Sequence, residues 1–495
     1  MQPANVLQEW VSRLDRRTYA IIVGAVIGLT GGLIGLLLAV AGPVIAVGLV
    51  LGLLAGLYVL TSVSAALYGV ILVTLVLPFG TLPVKIGLTP TFLDAALGAF
   101  LLVYLFQWMT GRRSHLRLTP IHALVALYAM WLIVSFLLGM RHAPPTATAL
   151  RQFTETLLSI GLTFVLVDLL RDAATLRRLV LVVIIAVGMQ ALVAIGLYAL
   201  PDNLAEWALV RLSRIGYPDG GVIRYVEDNP LLGERAIGTW VDPNALGGML
   251  AISAAMIAPQ VFARRPVLRY RWLTLSVLGL VTLALILTYS RASMLAFAAG
   301  LLFTGLFRPY RKYLLLMLVG AATLLLLPQT QAYIQRFAEA LTASDLATQM
   351  RLGEYSDSLR LISRYPLTGV GFTGTPEIDI YTDVASMYLI MANQIGLTGV
   401  FIFAALIAGV GLYGRRAWDA ARANPELASI HIGYHAALIA ALLNATADLY
   451  FFRLDFQSSI TLFWLVVALA LASSRLALAE STVAKTPAFG YYSAR

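Results

Sequence analysis

Cysteine is absent from the chain, and charged residues are scarce. Without a thiol the protein forms neither disulfides nor thiolate metal sites. Only 12% of the 495 residues are charged, whereas 60% are hydrophobic, and the mean hydropathy is +0.83. A soluble protein of this length could not keep so much apolar surface from water. The composition therefore predicts a polytopic membrane protein, whose length sets a number of spans.

Several motifs of other protein classes are also missing. There is no Walker loop, zinc motif or nucleophile elbow. The first apolar run is long enough to remain as a span, so we expect no cleavable secretory signal. We find no internal repeat and no soluble domain, and residues 1–495 are predicted to form one integral membrane domain. The net charge of +10 lies in short clusters between apolar runs, which indicates membrane orientation and no nucleic-acid partner.

What the chain does contain is a series of apolar runs. They predict an all-α fold, a polytopic transmembrane helical bundle of about fourteen spans. The runs lie at about 19–40, 43–60, 64–80, 92–109, 120–139, 150–170, 177–199, 243–262, 272–289, 292–308, 312–327, 384–411, 429–448 and 457–474.

The basic clusters predict the orientation of these spans. If the N-terminus is cytoplasmic, the order of spans puts every cluster on the cytoplasmic side, as the positive-inside rule requires. Both termini are then cytoplasmic, and two long extracytoplasmic loops follow, at 200–242 and 328–383. The clusters lie at the N-terminus and at 112–117, 171–178, 264–271, 308–312 and 415–422.

The second extracytoplasmic loop, 328–383, has a helical pattern. Apolar residues recur at three- and four-residue steps in 351–365, which predicts a helix with one apolar face. Pro366 ends this helix, and the glycines that follow allow a tight backbone path. We expect the loop to cap a polar cleft where anionic lipid-linked substrates react. The apolar residues are Leu352, Tyr355, Leu359 and Ile362, and the glycines are Gly369, Gly371 and Gly374.

Arginine, almost without lysine, supplies the positive charge of the outer loops. Its planar guanidinium binds two phosphate oxygens at once, which favours phosphate recognition. Pairing with nearby acids is the alternative, as for Arg360 and Asp357 one helical turn apart. The arginines that we regard as candidates for a site are Arg235, Arg291, Arg351, Arg360 and Arg364.

Arg291 is a special case, because its turn is too short to leave the membrane. A charge at mid-membrane costs roughly 3 kcal/mol, so such residues tend to face a cavity, although snorkelling to headgroups is the alternative. Asp242 and Asn244 flank Pro243 and can cap the span that follows, supporting the site without touching substrate. Asp448, near the outer end of a span, could face the cleft.

Two tyrosines near the predicted cleft, Tyr355 and Tyr388, could stack on a sugar. Anchoring at the membrane interface is the alternative role for an aromatic residue at this depth.

Four segments resemble the O-antigen ligase and O-antigen polymerase superfamily of bacterial membrane glycosyltransferases. The resemblance rests on the sequences of these segments and on their order along the chain, and it extends from about the sixth to the thirteenth predicted span. The segments are RAIGTWVDPNAL at 235–246, TYSRA at 288–292, RLGEYSDSLRLISRYPLTGVGF at 351–372 and YLIMANQIGLTG at 388–399.

This resemblance implies a function. Such enzymes transfer a glycan from undecaprenyl diphosphate to an acceptor glycan or glycolipid, on the outer face of the bacterial cytoplasmic membrane, without a metal or other cofactor. It implies that Arg235 and Arg291 hold the leaving diphosphate. Arg351, Arg360 and Arg364 would then bind the second lipid or sugar, or order the loop.

The chain departs from the family pattern at one place. Alignment puts Ala385 and Ser386 where ligases have His-Asn, and Gln394 where they have Glu. Either another group accepts the proton, or this is a more distant, polymerase-like member. The carboxylates that could serve as the base are Glu354, Asp383 and Asp448.

Two other classes of function stay open from the sequence. One is a transporter or flippase of an anionic lipid or solute, and the other is a non-catalytic family member. A transporter should show paired repeats with broken spans in both halves, whereas this chain concentrates polar residues on one face. That asymmetry favours an enzyme with an outward-facing site.

Overall fold

The computed structural model describes most of the chain in two separate units, Met1–Ala66 and Leu67–Arg495. In the first unit it describes the start of one helix and four single residues. Most of the two predicted spans at 19–40 and 43–60 lies outside the described residues. So do 327–345 and 375–383, which fall mainly in the predicted second extracytoplasmic loop at 328–383. The described residues are Asp15, Thr18, Gly24, Gly28, 62–82, 89–113, 115–326, 346–374 and 384–485.

The described part of the chain contains fourteen α-helices. They are α1 Val63–Val76, α2 Phe92–Met109, α3 His122–Gly139, α4 Ala147–Leu169, α5 Ala173–Ala199, α6 Asp202–Val210, α7 Pro243–Val261, α8 Arg271–Leu287, α9 Arg291–Gly305, α10 Lys312–Leu326, α11 Leu346–Arg364, α12 Met387–Ala423, α13 Ala428–Asn444 and α14 Gln457–Lys485.

A helix lies at each predicted span from 64–80 to the C-terminus. Among the described residues, seven helices are long and apolar enough to cross a membrane, and α1, α8, α9 and α13 are shorter apolar helices. The prediction of an all-α membrane protein is therefore confirmed, while the count of fourteen spans stays a prediction. The segment 200–242, predicted to be an extracytoplasmic loop, contains a small hairpin, in which β1 (Arg224–Tyr225) pairs antiparallel with β2 (Glu234–Arg235).

Helix α7 lies at the centre of the second unit and is buried along almost its whole length. It packs against α8, α9 and α13. Glycines permit the close approach: a Cβ on Gly247 would lie 2.8 Å from Ser293 Oγ, and one on Gly248 2.8 Å from Asn444 Oδ1. Small residues at these positions therefore allow the helices to pack closely.

The basic clusters between helices meet at one end of the second unit. Arg171 donates to the His115 carbonyl at 3.3 Å, and Arg177 donates to the Arg265 carbonyl at 2.9 Å. Arg265 forms an ion pair with Glu426 at 3.1 Å. Clusters that the sequence assigns to one side of the membrane are thus in mutual contact. That this side is cytoplasmic stays a prediction from the positive-inside rule.

Helix α12 is interrupted at Gly396, whose φ of 69° and ψ of 174° break the helical backbone. The break frees carbonyl groups in the preceding turn, and backbone amides from the segment after α11 bind them. Val370 N–H donates to the Asn393 carbonyl at 2.8 Å, and Gly371 N–H donates to the Gln394 carbonyl at 2.9 Å. These bonds matter because unpaired backbone groups are costly at membrane depth.

Two side chains of α3 complete the bonding of this break. Trp131 Nε1 donates to the Ile395 carbonyl at 2.9 Å, and Ser135 Oγ donates to the Gln394 carbonyl at 2.7 Å. Gly139 lies against Gly371, with room for no side chain between them. The glycine segment after α11 is therefore clamped between α3 and α12.

The helix predicted in 351–365 is present as α11, and the leucines of its predicted apolar face are not the residues that pack against the rest of the protein. Leu352 and Leu359 are 53% and 59% exposed, whereas Ser358 and Leu361 are fully buried. Polar contacts set the orientation, since Ser358 Oγ donates to Asn393 Oδ1 on α12 at 3.0 Å.

Candidate functional site

Arg235 joins two segments that are far apart in sequence. Its backbone position is fixed by the β1–β2 hairpin and by the next residue, Ala236, whose N–H donates to the Leu287 carbonyl at 2.8 Å. Its Nε donates to the Thr288 carbonyl at 2.8 Å, and its Nη2 donates to Asn244 Oδ1 at 2.6 Å. The guanidinium thus bridges the start of α7 and the turn between α8 and α9.

The charge of Arg235 is held in a largely buried position. Burial lowers the pKa of Arg235, while the negative charges of Asp242 and Asp448 and the Tyr450 hydroxyl act in the opposite direction. Arginine stays protonated in proteins because its ordinary pKa is so high. The site therefore holds a fixed cation with acidic neighbours.

Asp242 caps the N-terminus of α7. Its Oδ1 accepts hydrogen bonds from the backbone N–H groups of Asn244 and Ala245, both at 2.8 Å. The capping predicted for Asp242 is confirmed, but Asn244 differs, because its side chain accepts from Arg235 instead of capping the helix. Val241, just before the cap, has a φ of +60°, a strained conformation for a β-branched residue.

The turn from Thr288 to Arg291 is also strained. Tyr289 has a φ of +54°, which costs about 1–3 kcal/mol for a residue other than glycine. Ser290 occupies the N-cap position of α9 without a side-chain capping hydrogen bond, and Arg291 is the first residue of that helix. Because Arg235 is bonded to Thr288, the two arginines belong to one connected element. Strain of this kind collects at functional sites when the surrounding contacts enforce it.

Asp448 lies in the turn after α13, which ends at Asn444 and not at the predicted residue 448. The carboxyl group is buried, and its Oδ2 accepts from Asn444 Nδ2 at 2.8 Å. The same Asn444 amide group donates to Ser293 Oγ on α9 at 3.3 Å. Asn444 therefore fixes Asp448 relative to the helix that begins with Arg291.

Burial raises the pKa of Asp448 to about 7. Arg351 and Arg235 lower this pKa and Asp242 raises it, so all three charges lie within electrostatic range of the carboxyl group. A carboxyl group with a pKa near neutrality can both accept and release a proton at physiological pH.

Helix α11 contributes Arg351, Glu354 and Tyr355 on one face. Glu354 Oε2 accepts from the Ala385 N–H at 3.0 Å, and the Tyr355 hydroxyl donates to the Ala385 carbonyl at 3.3 Å. Both backbone groups of Ala385, the residue aligned with the family histidine, are thus held by α11. Arg351 and Tyr355 also lie within electrostatic range of Asp448.

The remaining candidate residues lie apart from the Arg235 and Asp448 cluster or outside the described residues. Arg360 is exposed and pairs with Asp357 at 3.6 Å, as its spacing predicted. Arg364 is exposed at the end of α11. The Tyr388 hydroxyl donates to the Leu442 carbonyl at 2.8 Å and so joins α12 to α13. Asp383 lies outside the described residues.

Tyr450 is a site residue that the sequence reasoning missed. Its hydroxyl lies within hydrogen-bonding reach of Asp242 and Asn244, and burial raises its pKa well above the ordinary value. Its position two residues after Asp448 was the available signal in the sequence. Tyr450 connects the α7 cap to the turn that carries Asp448.

Residues 275–404 match the family model described as O-antigen ligase, and no curated protein matches the chain. The matched region contains Arg291, Arg351, Glu354 and Tyr355, while Arg235 and Asp448 lie outside it. The match covers less than half of the chain; it shows that residues 275–404 are similar to the O-antigen ligase family and supports assignment of this membrane protein to that family.

Proposed function

We propose that the protein is a membrane glycosyltransferase that ligates or polymerises a glycan from an undecaprenyl-diphosphate donor. The observation that carries this proposal is the hydrogen bond from Arg235 to Thr288, which ties one candidate phosphate-binding arginine to the turn that bears Arg291. The buried carboxyl group of Asp448 lies within electrostatic range of Arg235. The O-antigen ligase domain supports the same general class of reaction.

In the proposed step, an acceptor hydroxyl attacks the anomeric carbon of the donor sugar. The new glycosidic bond forms as the bond from that carbon to the diphosphate oxygen breaks, with inversion at the carbon. The bonding electrons leave with undecaprenyl diphosphate, and the hydroxyl proton passes to a carboxylate. Arg235 and Arg291 stabilise the charge that develops on the diphosphate, which is where fixed cations lower a barrier.

We assign the proton acceptor to Asp448. Glu354 already accepts the Ala385 N–H at 3.0 Å, and we therefore give it the role of positioning that segment. Asp448 is bonded to an asparagine amide and lies near Arg235 and Arg351, where the leaving group would depart. General-base catalysis needs such a positioned acceptor with a suitable pKa.

The other residues take supporting roles in this proposal. Arg351 would bind the second substrate next to Asp448, and Tyr355 would line the same position. Asp242, Asn244 and Tyr450 would orient Arg235. The exposed Arg360 and Arg364 would contact the acceptor glycan or its lipid, on the outer face of the bacterial cytoplasmic membrane.

A transfer assay tests the proposal. Purified protein in detergent is mixed with a synthetic undecaprenyl-diphosphate oligosaccharide, alone or with an acceptor glycolipid, and products are identified by mass spectrometry. A new glycosidic bond indicates an enzyme: lengthening of the donor glycan indicates a polymerase, and capture by the acceptor a ligase. Movement of the intact donor between leaflets of reconstituted vesicles, without a new bond, would make the protein a transporter and sink the proposal.

A pair of variants tests the assigned arginines. Arg291→Ala should abolish transfer in a protein that remains folded. Arg224→Ala is the matched control, because Arg224 is exposed on the strand opposite Arg235 and should be dispensable. Full turnover by Arg291→Ala would remove the diphosphate role assigned to that residue.

A further inference from the structure

Two neighbouring cavities lie at the end of the second unit where the basic clusters meet. Their volumes are about 560 and 540 Å³, within the range of ligand pockets, roughly 300–1,000 Å³. They lie beside the end of α9 remote from Arg291, so they are distinct from the candidate active site. Phe307 and Trp418 line both cavities, with ring centroids 4.6 Å apart.

One cavity is basic. Arg264 and Arg308 line it from two segments between helices, and Arg422 lines it from the last turn of α12. All three are exposed, and no carboxylate among the described residues forms an ion pair with any of them. Asp419, three residues before Arg422 on α12, lines the other cavity, and Glu426 pairs with Arg265 at 3.1 Å. Three guanidinium groups without acidic partners are suited to bind a phosphate group.

A buried hydroxyl group in the basic cavity lacks a hydrogen-bond partner. Ser429 is 1% exposed and lines the cavity, and its Oγ has no partner among the described residues. Buried polar groups in folded proteins nearly always have a partner. A ligand oxygen in the cavity would supply one, so the hydroxyl is an indication of a ligand that does not depend on the arginines.

The other cavity is mainly apolar and lies among α9, α12 and α13. Its lining includes Phe303, Ile407, Leu438 and Leu442, with Arg415 and Asp419 also contributing. At Gly411, which lines it, an added Cβ would meet no atom within 4 Å. This cavity can therefore accept a flexible hydrocarbon chain, for which no specific polar contact is needed.

We propose that the two cavities together bind one anionic phospholipid from the adjacent leaflet. Its phosphate lies among Arg264, Arg308 and Arg422 and accepts a hydrogen bond from Ser429, and one acyl chain passes the Phe307–Trp418 pair into the apolar cavity. Basic pockets between membrane helices bind anionic lipid headgroups in this way. A free phosphate would use only the basic cavity and leave the adjoining apolar volume empty.

Lipid titration tests the charge requirement. Dioleoyl phosphatidylglycerol or dioleoyl phosphatidylcholine is added to the purified full chain in detergent, and bound lipid is measured by native mass spectrometry. The anionic lipid should bind more tightly. Changing all three cavity arginines, R264Q/R308Q/R422Q, should weaken its binding about a hundredfold, since each basic residue near a headgroup contributes about fivefold.

A matched triple variant separates this site from general surface charge. R112Q/R269Q/R416Q removes three exposed arginines that line neither cavity, and it has the same net charge as R264Q/R308Q/R422Q. It should bind phosphatidylglycerol like the unaltered protein. An equal loss in both triple variants would mean diffuse attraction to the basic end and would overturn the proposal.

The apolar cavity is tested separately. Gly411→Trp should fill it and weaken phosphatidylglycerol binding at least tenfold, whereas Gly279→Trp, at another open glycine outside the cavities, should not. Unchanged binding by Gly411→Trp would exclude an acyl chain there. Inorganic phosphate at millimolar concentration should not displace the lipid. Full displacement would identify a simple anion site and would also contradict the proposal.

Discussion

Asn444 Nδ2 donates a hydrogen bond to Asp448 Oδ2 at 2.8 Å, across one turn at the end of α13. The same nitrogen donates to Ser293 Oγ on α9 at 3.3 Å. One amide group thus holds the buried carboxyl group at a fixed distance from the helix that begins with Arg291. The proposed base and the proposed diphosphate-binding arginine are therefore positioned by a shared residue.

Asp448→Asn should reduce transfer about 10²–10⁴-fold, the usual contribution of a general base. The substitution keeps the shape of the side chain and an oxygen that can accept from Asn444, so the fold should persist. Turnover is measured with the lipid-linked donor, and folding by thermal unfolding in detergent. Asp219→Asn, at an exposed position in the segment between α6 and α7, is the control. Normal turnover by Asp448→Asn would reassign the base.

Transfer should increase with pH through about 7. Burial raises the pKa of Asp448 to about 7, so its carboxyl group is largely protonated below that pH and cannot accept the proton. The folded-state pKa is above the unfolded value of about 3.9, so the associated stability is fully present at low pH and is lost as pH increases through 7. The measurement is kcat/KM against pH, with thermal stability recorded at each point.

Arg351→Gln should move the midpoint of that pH profile to higher pH. The Arg351 charge lowers the pKa of Asp448, and its removal lets burial act with less opposition. Arg360→Gln is the matched control on the same helix, because Arg360 is exposed and paired with Asp357. A profile that is identical in all three proteins would show that the titrating group is not Asp448.

Arg235→Lys should lose most transfer activity although it keeps the positive charge. A lysine ammonium lacks the planar fork that donates to both the Thr288 carbonyl and Asn244 Oδ1. A loss of about 2–4 kcal/mol in transition-state stabilisation is expected for a charge-stabilising donor, seen as lower kcat with little change in KM. Arg224→Lys should be neutral. Equal activity of Arg235→Lys and the unaltered protein would make simple charge sufficient.

Gly396→Ala should destabilise the protein strongly. The φ of 69° costs an alanine about 1–3 kcal/mol, and the new Cβ would collide with the Leu367 carbonyl oxygen. Gly98→Ala, in α2 with no atom within 4 Å of the new Cβ, should instead gain about 0.5–1 kcal/mol from the better helix propensity. Thermal unfolding compares the two, and a stable Gly396→Ala protein would mean that the helix break is not required.

Hydropathy alone predicted the helices well, because each apolar run from 64–80 onward must bond its own backbone within the membrane. Charge clusters predicted which connecting segments lie together, as the contacts of Arg177 and Arg265 illustrate. Glycines after Pro366 predicted a tight path, and Gly369 and Gly371 have positive φ angles. These features follow from local composition and backbone geometry.

Hydrogen bonds between polar groups that are distant in sequence could not be predicted from the sequence. Nothing local indicates that Arg235 bonds to Thr288, since the contact depends on how α7, α8 and the hairpin meet. The orientation of α11 could not be predicted for a related reason. Polar partners on α12, such as Asn393, determine its orientation, and the exposed leucines are left on the other side.

The break at Gly396 has a consequence for how the protein is made. The carbonyls of Asn393 and Gln394 depend on amide donors from Val370 and Gly371, which precede them in the chain and lie outside the helix. Ser135 Oγ on α3 also donates to the Gln394 carbonyl, so these donors all come from outside α12, and α12 alone cannot be a stable span in lipid. During membrane insertion, the segment after α11 and the helix α12 must therefore fold together. If the chain were cleaved between them, the two fragments would have to associate before α12 became stable in the membrane.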